Sequence, residues 1–337
     1  MNDTSGARLD PGHLIRLSTA YWGAQTLLTA NRLEIFSRLA DGPLPRDALA
    51  AALGADGRAL ALLLKACVAL DLLEETADGI ANSALSNAFL VPGRPGYMGN
   101  AIRYSDDLYA TWGNLDQAVR DGAPQLAAAK YLGEETERTR HFVYGMHDRA
   151  LGIGRALISL VDLSGRRQLL DIGGGPGTYS ALFVQQTPGL RSRVLELPGV
   201  ARIAAEILAD LGVADCVEML PGDYHTTEFP DGNNAVLISG VLHRETAATC
   251  RKLIARAAAT LATGGLLVVS DVFTDAGGCS PAFATLFGLN MLLTAPDGGV
   301  HADSDVSGWM AEAGLIQIRR EPFPPPMPHR VVTGVKA

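Results

Sequence analysis

The chain has 337 residues, 47% apolar and 19% charged, with 28 basic against 36 acidic side chains for a net charge of −8. That length predicts two domains with room for a large core, and the acidic balance argues against a nucleic acid as primary partner. Cys67, Cys216, Cys250 and Cys279 are scattered without a C-x-x-C pair, so neither a disulfide framework nor a metal site is signalled.

In chain order, residues 1–13 are polar and glycine-rich. No signal-peptide pattern is visible there, and a cytoplasmic location is the expectation. Apolar residues recur at helical spacing over 14–39, DGPLPRD (41–47) is a turn, and 47–54 and 57–73 read as two further helices. Asp47 is the expected N-cap of the first of these. The most apolar stretch, 59–73, carries Lys65 and Asp71, so it reads as a core helix rather than a membrane span. LLEETADGIANSALS (72–86) offers two short strands around the turn pair Asp78-Gly79. Helix–turn–helix plus hairpin is a winged-helix outline, which raises a ligand-responsive DNA-binding regulator as one reading. The would-be recognition helix offers only Arg58 and Lys65 against Asp71, whereas a DNA reader lines one face with several basic and amide side chains. An apolar helix layer is better explained as core or dimer interface.

VPGRPG (91–96) breaks the pattern, and 97–160 returns to helices. From about 165 onward, strand-like runs at 168–172, 191–197, 216–220, 235–239, 265–270, 315–319 and 331–335 alternate with helices. The last two flank a proline-rich turn (322–328) too short for a helix, so they should pair antiparallel. The expected fold is α/β, a Rossmann-like mixed sheet with its last strand antiparallel, behind a mostly helical winged-helix domain. The expected division is a dimerisation domain over 1–95, a helical linker over 96–160 and a cofactor-binding catalytic domain over 161–337.

The most informative stretch is LLDIGGGPGTYS (169–180), where an apolar strand runs through Asp171 into three consecutive glycines. Glycines let the backbone turn sharply and let a ligand lie directly on the main chain. A dinucleotide fingerprint would need glycines at 173, 175 and 178, and position 178 is Thr. Glu196 ends the next strand, 21 residues after Gly175, where a carboxylate can accept from both hydroxyls of a ribose. Gly222-Asp223-Tyr224 follows the third apolar run. Three such sites at consecutive strand ends are unlike coincidence.

D-x-G-G-G-x-G resembles motif I of class I methyltransferases, which bind S-adenosylmethionine. The order of winged-helix outline, helical linker, DIGGGPGTYS, LELPGV, GDY, VLH and GGLLVVSDVF resembles the S-adenosylmethionine-dependent O-methyltransferases of the plant caffeate and bacterial secondary-metabolite type. The resemblance implies a homodimer through interlocked N-terminal domains, with Tyr21 and Trp22 reaching the partner's pocket. It implies cofactor contacts at Asp171, Gly173, Gly174, Gly175, Glu196, Leu197, Gly222, Asp223, Tyr224, Ser239 and Gly240. It also implies an aromatic acceptor lined by Tyr104, Trp112, Phe142, Met146, Phe287, Asn290 and Met291. The acidic balance and the charges within the most apolar stretch lead to the expectation of no nucleic-acid or membrane partner.

His243 follows the fourth strand of the sheet, at the carboxyl edge where open α/β sites lie. The resemblance implies that it removes the proton from the acceptor hydroxyl. A phenol titrates near about 10 and a histidine near about 6.5, so near neutrality the ring accepts a proton the phenol seldom releases alone. Asp271 lies 28 residues later on the same edge, where the family carries a carboxylate, usually Glu, that orients the base. Being one methylene shorter, Asp leaves a direct, a water-bridged or a lost contact open. Two departures stand out. The family's His-Asp-Trp is here His243-Arg244-Glu245, which removes an apolar wall near the adenine. The second catalytic acid expected after Gly298-Gly299 is replaced by Val300 or His301, and His301 is a candidate to orient the acceptor or act as a second base. The expected activity is O-methylation of an aromatic or polyketide-like molecule. Methylation of carbon or nitrogen, or S-adenosylmethionine-assisted hydroxylation, is the alternative on the same fold.

Overall fold

A computed structural model describes residues 10–128, 132–325 and 327–337. Most of the polar leader, residues 129–131 of the linker and Pro326 of the proline-rich turn lie outside the described residues. The chain divides into two compact units at Ser105 and Asp106.

In the first unit, α1 (Gly12–Arg32), α2 (Ile35–Arg38), α3 (Arg46–Leu53) and α4 (Gly57–Ala69) precede the hairpin β1 (Leu73–Thr76) and β2 (Gly79–Asn82), then α5 (Ala84–Phe89). The helical spacing over 14–39 is carried by two helices, separated at Glu34, whose φ of 56° puts it in the left-handed region. Asp47 is not the N-cap of α3; that place is taken by Pro45, and Asp47 sits in the first turn, where a carboxylate complements the positive end of the helix dipole. The helix expected over 57–73 ends at Ala69. It starts at Asp56, whose side chain accepts from the Ala59 N–H. Leu60, Leu64 and Cys67 recur on one face of α4 and pack with Ile35, Phe36, Leu49, Leu73 and Ile80. The hairpin is shorter than the sequence suggested, because Ser83 caps a helix: its hydroxyl accepts from Ser86 N–H. On α1, Leu14, Leu17 and Trp22 are all more than half exposed. Helix α6 (Gly99–Trp112) runs across the division.

The second unit is an α/β sandwich. It contains α7 (Leu115–Asp121), α8 (Thr136–Leu160), β3 (Gln168–Ile172), α9 (Thr178–Gln186), β4 (Arg191–Glu196), α10 (Pro198–Asp210) and β5 (Val217–Pro221). The chain continues through β6 (Asn233–Ser239), α11 (Ala247–Ala259), β7 (Leu261–Val272), α12 (Ala282–Thr294), α13 (Asp303–Glu312), β8 (Leu315–Pro322) and β9 (His329–Lys336). The seven strands lie in the order β5-β4-β3-β6-β7-β9-β8. β3 through β7 are parallel, and β9 pairs antiparallel with both β7 and β8.

The strands of such a sheet are buried on both faces. Leu170, Ile172, Val236, Ile238, Leu267 and Val269 pack against α11 and α13, while Leu169, Ala235, Leu237 and Val268 pack toward Leu157 of α8 and Phe183 of α9. The chain leaves β3 toward β4 and β5 and then returns to β6 on the other side of β3. That reversal opens a crevice beyond the carboxyl ends of the strands, the general ligand position in open α/β sheets. No described helix is long and apolar enough to cross a membrane.

Candidate active site

The glycine loop is built around close approach. Gly173 has a φ of +66°, and a Cβ on it would meet Val241 Cγ2 at 2.7 Å and the Tyr224 ring at 3.6 Å. A Cβ on Gly174 would fall 2.7 Å from the Asp171 carboxyl group and from Val194. Gly175, with a φ of +55°, donates its N–H to Glu196 Oε2 at 2.8 Å, and Leu197 N–H donates to Oε1 at 2.7 Å. Each carboxylate oxygen thus has one protein donor and keeps a lone pair. Burial raises the Glu196 pKa, opposed by those two N–H groups and by the nearby Arg244 charge.

Asp171 is fully buried and takes a hydrogen bond on Oδ2 from Ser180 Oγ at 2.7 Å, with Ser192 Oγ donating in turn to Ser180 Oγ at 2.8 Å. Its Oδ1 has no hydrogen-bond partner among the described residues. Burial pushes its pKa up to about 7, partly offset by the Ser180 hydrogen bond.

The β5 end carries the third element. Gly222 N–H donates to Glu196 O at 2.9 Å, and Asp223 Oδ1 accepts from His225 N–H at 2.9 Å. The Tyr224 hydroxyl donates to Glu245 Oε1 at 2.6 Å, and His225 Nε2 lies 3.2 Å from the same oxygen. Burial and the Glu245 carboxylate both raise the Tyr224 pKa, so the phenol is a neutral donor. The Arg244-Glu245 departure is therefore accommodated: Glu245 ties down an aromatic ring that flanks the glycine loop. Arg256, which sequence reasoning missed, clasps this loop by donating to the carbonyls of Tyr224 and Thr227, with its guanidinium 4.1 Å from the Phe229 ring centroid. No local motif marks it; Arg256 and Tyr224 are 32 residues apart. His147 was also missed. Its Nδ1 lies 2.8 Å from Thr178 Oγ1 at the start of α9, and burial lowers its pKa.

His243 sits in a single 3-10 turn (Leu242–Arg244) just after β6. Its Nδ1 is 2.6 Å from Asp271 Oδ1, a direct contact despite the shorter acid. Asp271 also accepts from Val272 N–H at 2.7 Å. Burial acts to raise the Asp271 pKa, but the His243 charge, its hydrogen bond and the Val272 N–H outweigh it and bring the net shift below the ordinary value. An ionised carboxylate only accepts, so Nδ1 carries a proton and a neutral ring keeps its lone pair on Nε2. The ring meets Phe287 edge-on at 4.8 Å, and Phe287 stacks with Phe283 at 6.3 Å.

At the strand ends, Ser239 is buried and its side chain is hydrogen-bonded to the Tyr179 hydroxyl, while Gly240, at φ +69°, donates its N–H to Ser270 O at 2.9 Å. Trp112 Nε1 donates to Asn290 Oδ1 at 3.0 Å, joining two of the expected lining residues. Met291 is buried, and Met146 is half-buried on α8. Phe142 is drawn into a cluster with Val143, Val200 and Ile203 between α8 and α10. Tyr104 is buried on α6 within the first unit. His301 directs Nε2 to the carbonyls of Leu242, at 3.1 Å, and Glu245, at 2.9 Å. Among the described residues no cluster of His, Cys, Asp and Glu suits a metal ion.

Comparison with known proteins fits this geometry. Residues 15–92 match the family profile of the O-methyltransferase dimerisation domain, and residues 112–316 that of the O-methyltransferase domain. The chain is 32% identical over 331 residues to 3-hydroxy-5-methyl-1-naphthoate 3-O-methyltransferase of Streptomyces sahachiroi, covering 97% of this chain and 96% of that protein. It is 31% identical over 314 residues to the tetracenomycin polyketide synthesis 8-O-methyl transferase of Streptomyces glaucescens, covering 92% of each. The solved mitomycin 7-O-methyltransferase aligns with a TM-score of 0.82 at 28% identity, covering 97% of both chains. Human N-acetylserotonin methyltransferase in complex with S-adenosylmethionine, at 24% identity, shares the fold with a TM-score of 0.87 over 98% of this chain and 99% of its own. The chain belongs to the O-methyltransferase family and is an S-adenosylmethionine-dependent methyltransferase with an N-terminal dimerisation domain.

Proposed function

We propose that the protein methylates a hydroxyl group of an aromatic small molecule, with His243 as the general base. The observation that carries this reading is the His243–Asp271 pair at the carboxyl rim of the sheet. S-adenosylmethionine supplies an electrophilic methyl group when bound. The residues present fit that donor. The glycine cradle leaves no room for a Cβ at 173 or 174, Glu196 keeps one lone pair per oxygen for two ribose hydroxyls, and Asp171 Oδ1 is an orphaned buried acceptor suited to an ammonium. Tyr224 would flank the adenine in place of the missing Trp, beside Gly222 and Asp223, with Leu197, Gly175, Ser239 and Gly240 forming the remaining wall.

In this reading the acceptor hydroxyl gives its proton to His243 Nε2, and the Asp271 carboxylate holds Nδ1–H and stabilises the imidazolium that results. General-base help of this kind is typically worth about 10²–10⁴-fold. Phe287, Asn290, Trp112, Met146 and Met291 are the proposed acceptor wall, and an aromatic lining favours a flat apolar ring. Relatives named for naphthoate and tetracenomycin substrates support an aromatic or polyketide-like acceptor. The exposed apolar residues of α1 and the match to a dimerisation domain support a homodimer through residues 1–95. The same proposal takes 96–160 as linker and 161–337 as catalytic domain, with the protein acting in the cytoplasm. A relative named as an N,N-dimethyltransferase of Streptomyces rimosus, 32% identical over 272 residues, keeps nitrogen methylation as the second reading.

A screen of phenols and aryl amines with methyl-labelled S-adenosylmethionine tests the proposal. Labelled product methylated on oxygen is expected; label only on nitrogen or carbon would overturn the O-methylation reading.

A further inference from the structure

His301 stands where the family resemblance implies a second catalytic acid, yet its surroundings suit a donor. We infer that His301 is a positioning residue whose Nε2–H holds the His243 turn in place against the end of β7; this rests on the reading of His243 as base. Leu242 O and Glu245 O lie 3.1 and 2.9 Å from Nε2, and carbonyl oxygens only accept. Nε2 therefore carries a proton and has no lone pair to offer an acceptor. A carboxylate in the same place would face two carbonyl oxygens, acceptor against acceptor.

The two carbonyls flank His243 on either side. The turn itself is a single short one, closed by Arg244 N–H to Val241 O at 3.0 Å and Glu245 N–H to Leu242 O at 3.1 Å, and an isolated turn of this type has little stability of its own. The segment bearing His301 supplies what the turn lacks. Gly299 N–H donates to His243 O at 2.9 Å, and Thr274 N–H donates to His301 O at 3.0 Å. Thr274 follows Asp271 by three residues. The base, the turn, His301 and the strand end that carries the orienting acid thus form one closed circuit.

The ring of His301 is itself fixed. It meets Trp309 edge-on at 5.3 Å, and Cys250 Sγ lies 3.4 Å from Nε2. Burial pushes the Cys250 pKa up to about 12, so a neutral thiol adds a weak second donor to Leu242 O at 3.4 Å. On its far side the turn is tied through Glu245 to the Tyr224 hydroxyl.

The test uses the full chain and measures amide hydrogen exchange over 241–247, with His301→Phe removing the donor but keeping a ring against Trp309. His301→Gln returns an N–H at similar reach. Exchange about tenfold faster or more in the Phe variant, restored toward wild type by Gln, is the expected result. Unchanged exchange in the Phe variant overturns the inference, and so does a Gln variant as fast as Phe. If the Phe variant does not fold, His301→Asn replaces it, its amide being too short to reach; Asn as slow as Gln counts against the brace. Single-turnover methyl transfer by His243→Ala tests the underlying reading separately. A rate equal to wild type there removes His243 as base, whereas the exchange measurement reads the brace without any ligand.

Discussion

His243 Nδ1 and Asp271 Oδ1 are 2.6 Å apart, although one lies in the turn after β6 and the other near the end of β7. The parallel pairing of β6 with β7 brings those ends together, with Ser239 opposite Ser270. Asp271 is 2% exposed, so the contact is shielded from water, where an ion–dipole hydrogen bond is strongest.

Replacing Asp271 by Asn keeps the volume and removes the charge. An amide can donate to Nδ1, which moves the ring proton to Nε2 and blocks proton uptake from the acceptor. The expected result is a fall in turnover of about 10²-fold or more, with affinity for S-adenosylhomocysteine unchanged. Rapid-quench kinetics and calorimetry on the same variant read the two quantities.

In the proposed reading, Asp171 couples the cofactor site to pH. Its folded pKa, about 7, is raised above the ordinary value of an unfolded Asp. Its contribution to stability is therefore fully present below about 3.9 and lost as pH rises through about 7. The stability difference between Asp171→Asn and wild type should shift in favour of the variant over that window, read by thermal unfolding. An ammonium placed beside Oδ1 requires the ionised carboxylate, so uptake releases a proton. Affinity for S-adenosylhomocysteine should rise up to about tenfold per pH unit between pH ~5.5 and ~7, below the titration of the ligand's own amine. A flat profile from calorimetry across that range would remove Asp171 from the ammonium contact.

The sheet was legible from sequence because its strands are short apolar runs with glycine or charge at their ends, and buried parallel strands have no other pattern available. The positions of Glu196, His243 and Asp271 at the crevice edge were legible for a related reason: each ends or closely follows such a run. The hairpin after Leu73 was overextended because Ser83 reads equally as strand or cap until its hydroxyl has a partner. Arg256 and the carbonyl contacts of His301 left no trace, since their partners are main-chain atoms, which the sequence does not distinguish. The Tyr224–Glu245 bond was hidden for the opposite reason. It joins two side chains whose relation depends on where β5 and β6 end.

Arg256 offers a test of loop positioning away from the chemistry. Its guanidinium satisfies the carbonyls of Tyr224 and Thr227 and lies over Phe229. Charge-assisted hydrogen bonds of this kind contribute about 1.5–3 kcal/mol each. Arg256→Met should raise the KM for S-adenosylmethionine about tenfold or more while leaving kcat within about threefold, because the His243 side of the site is untouched. Steady-state kinetics with the donor varied at saturating acceptor measures this, and a loss confined to kcat would count against it.

The most direct measurement is single-turnover transfer from methyl-labelled S-adenosylmethionine to a phenolic acceptor, comparing wild type with His243→Ala, both preloaded with donor. The expected outcome is labelled methyl ether in wild type and a rate about 10²–10⁴-fold lower in the variant, with donor affinity retained. Equal rates in the two proteins, or label on carbon or nitrogen in wild type, would contradict a proton-accepting imidazole at position 243.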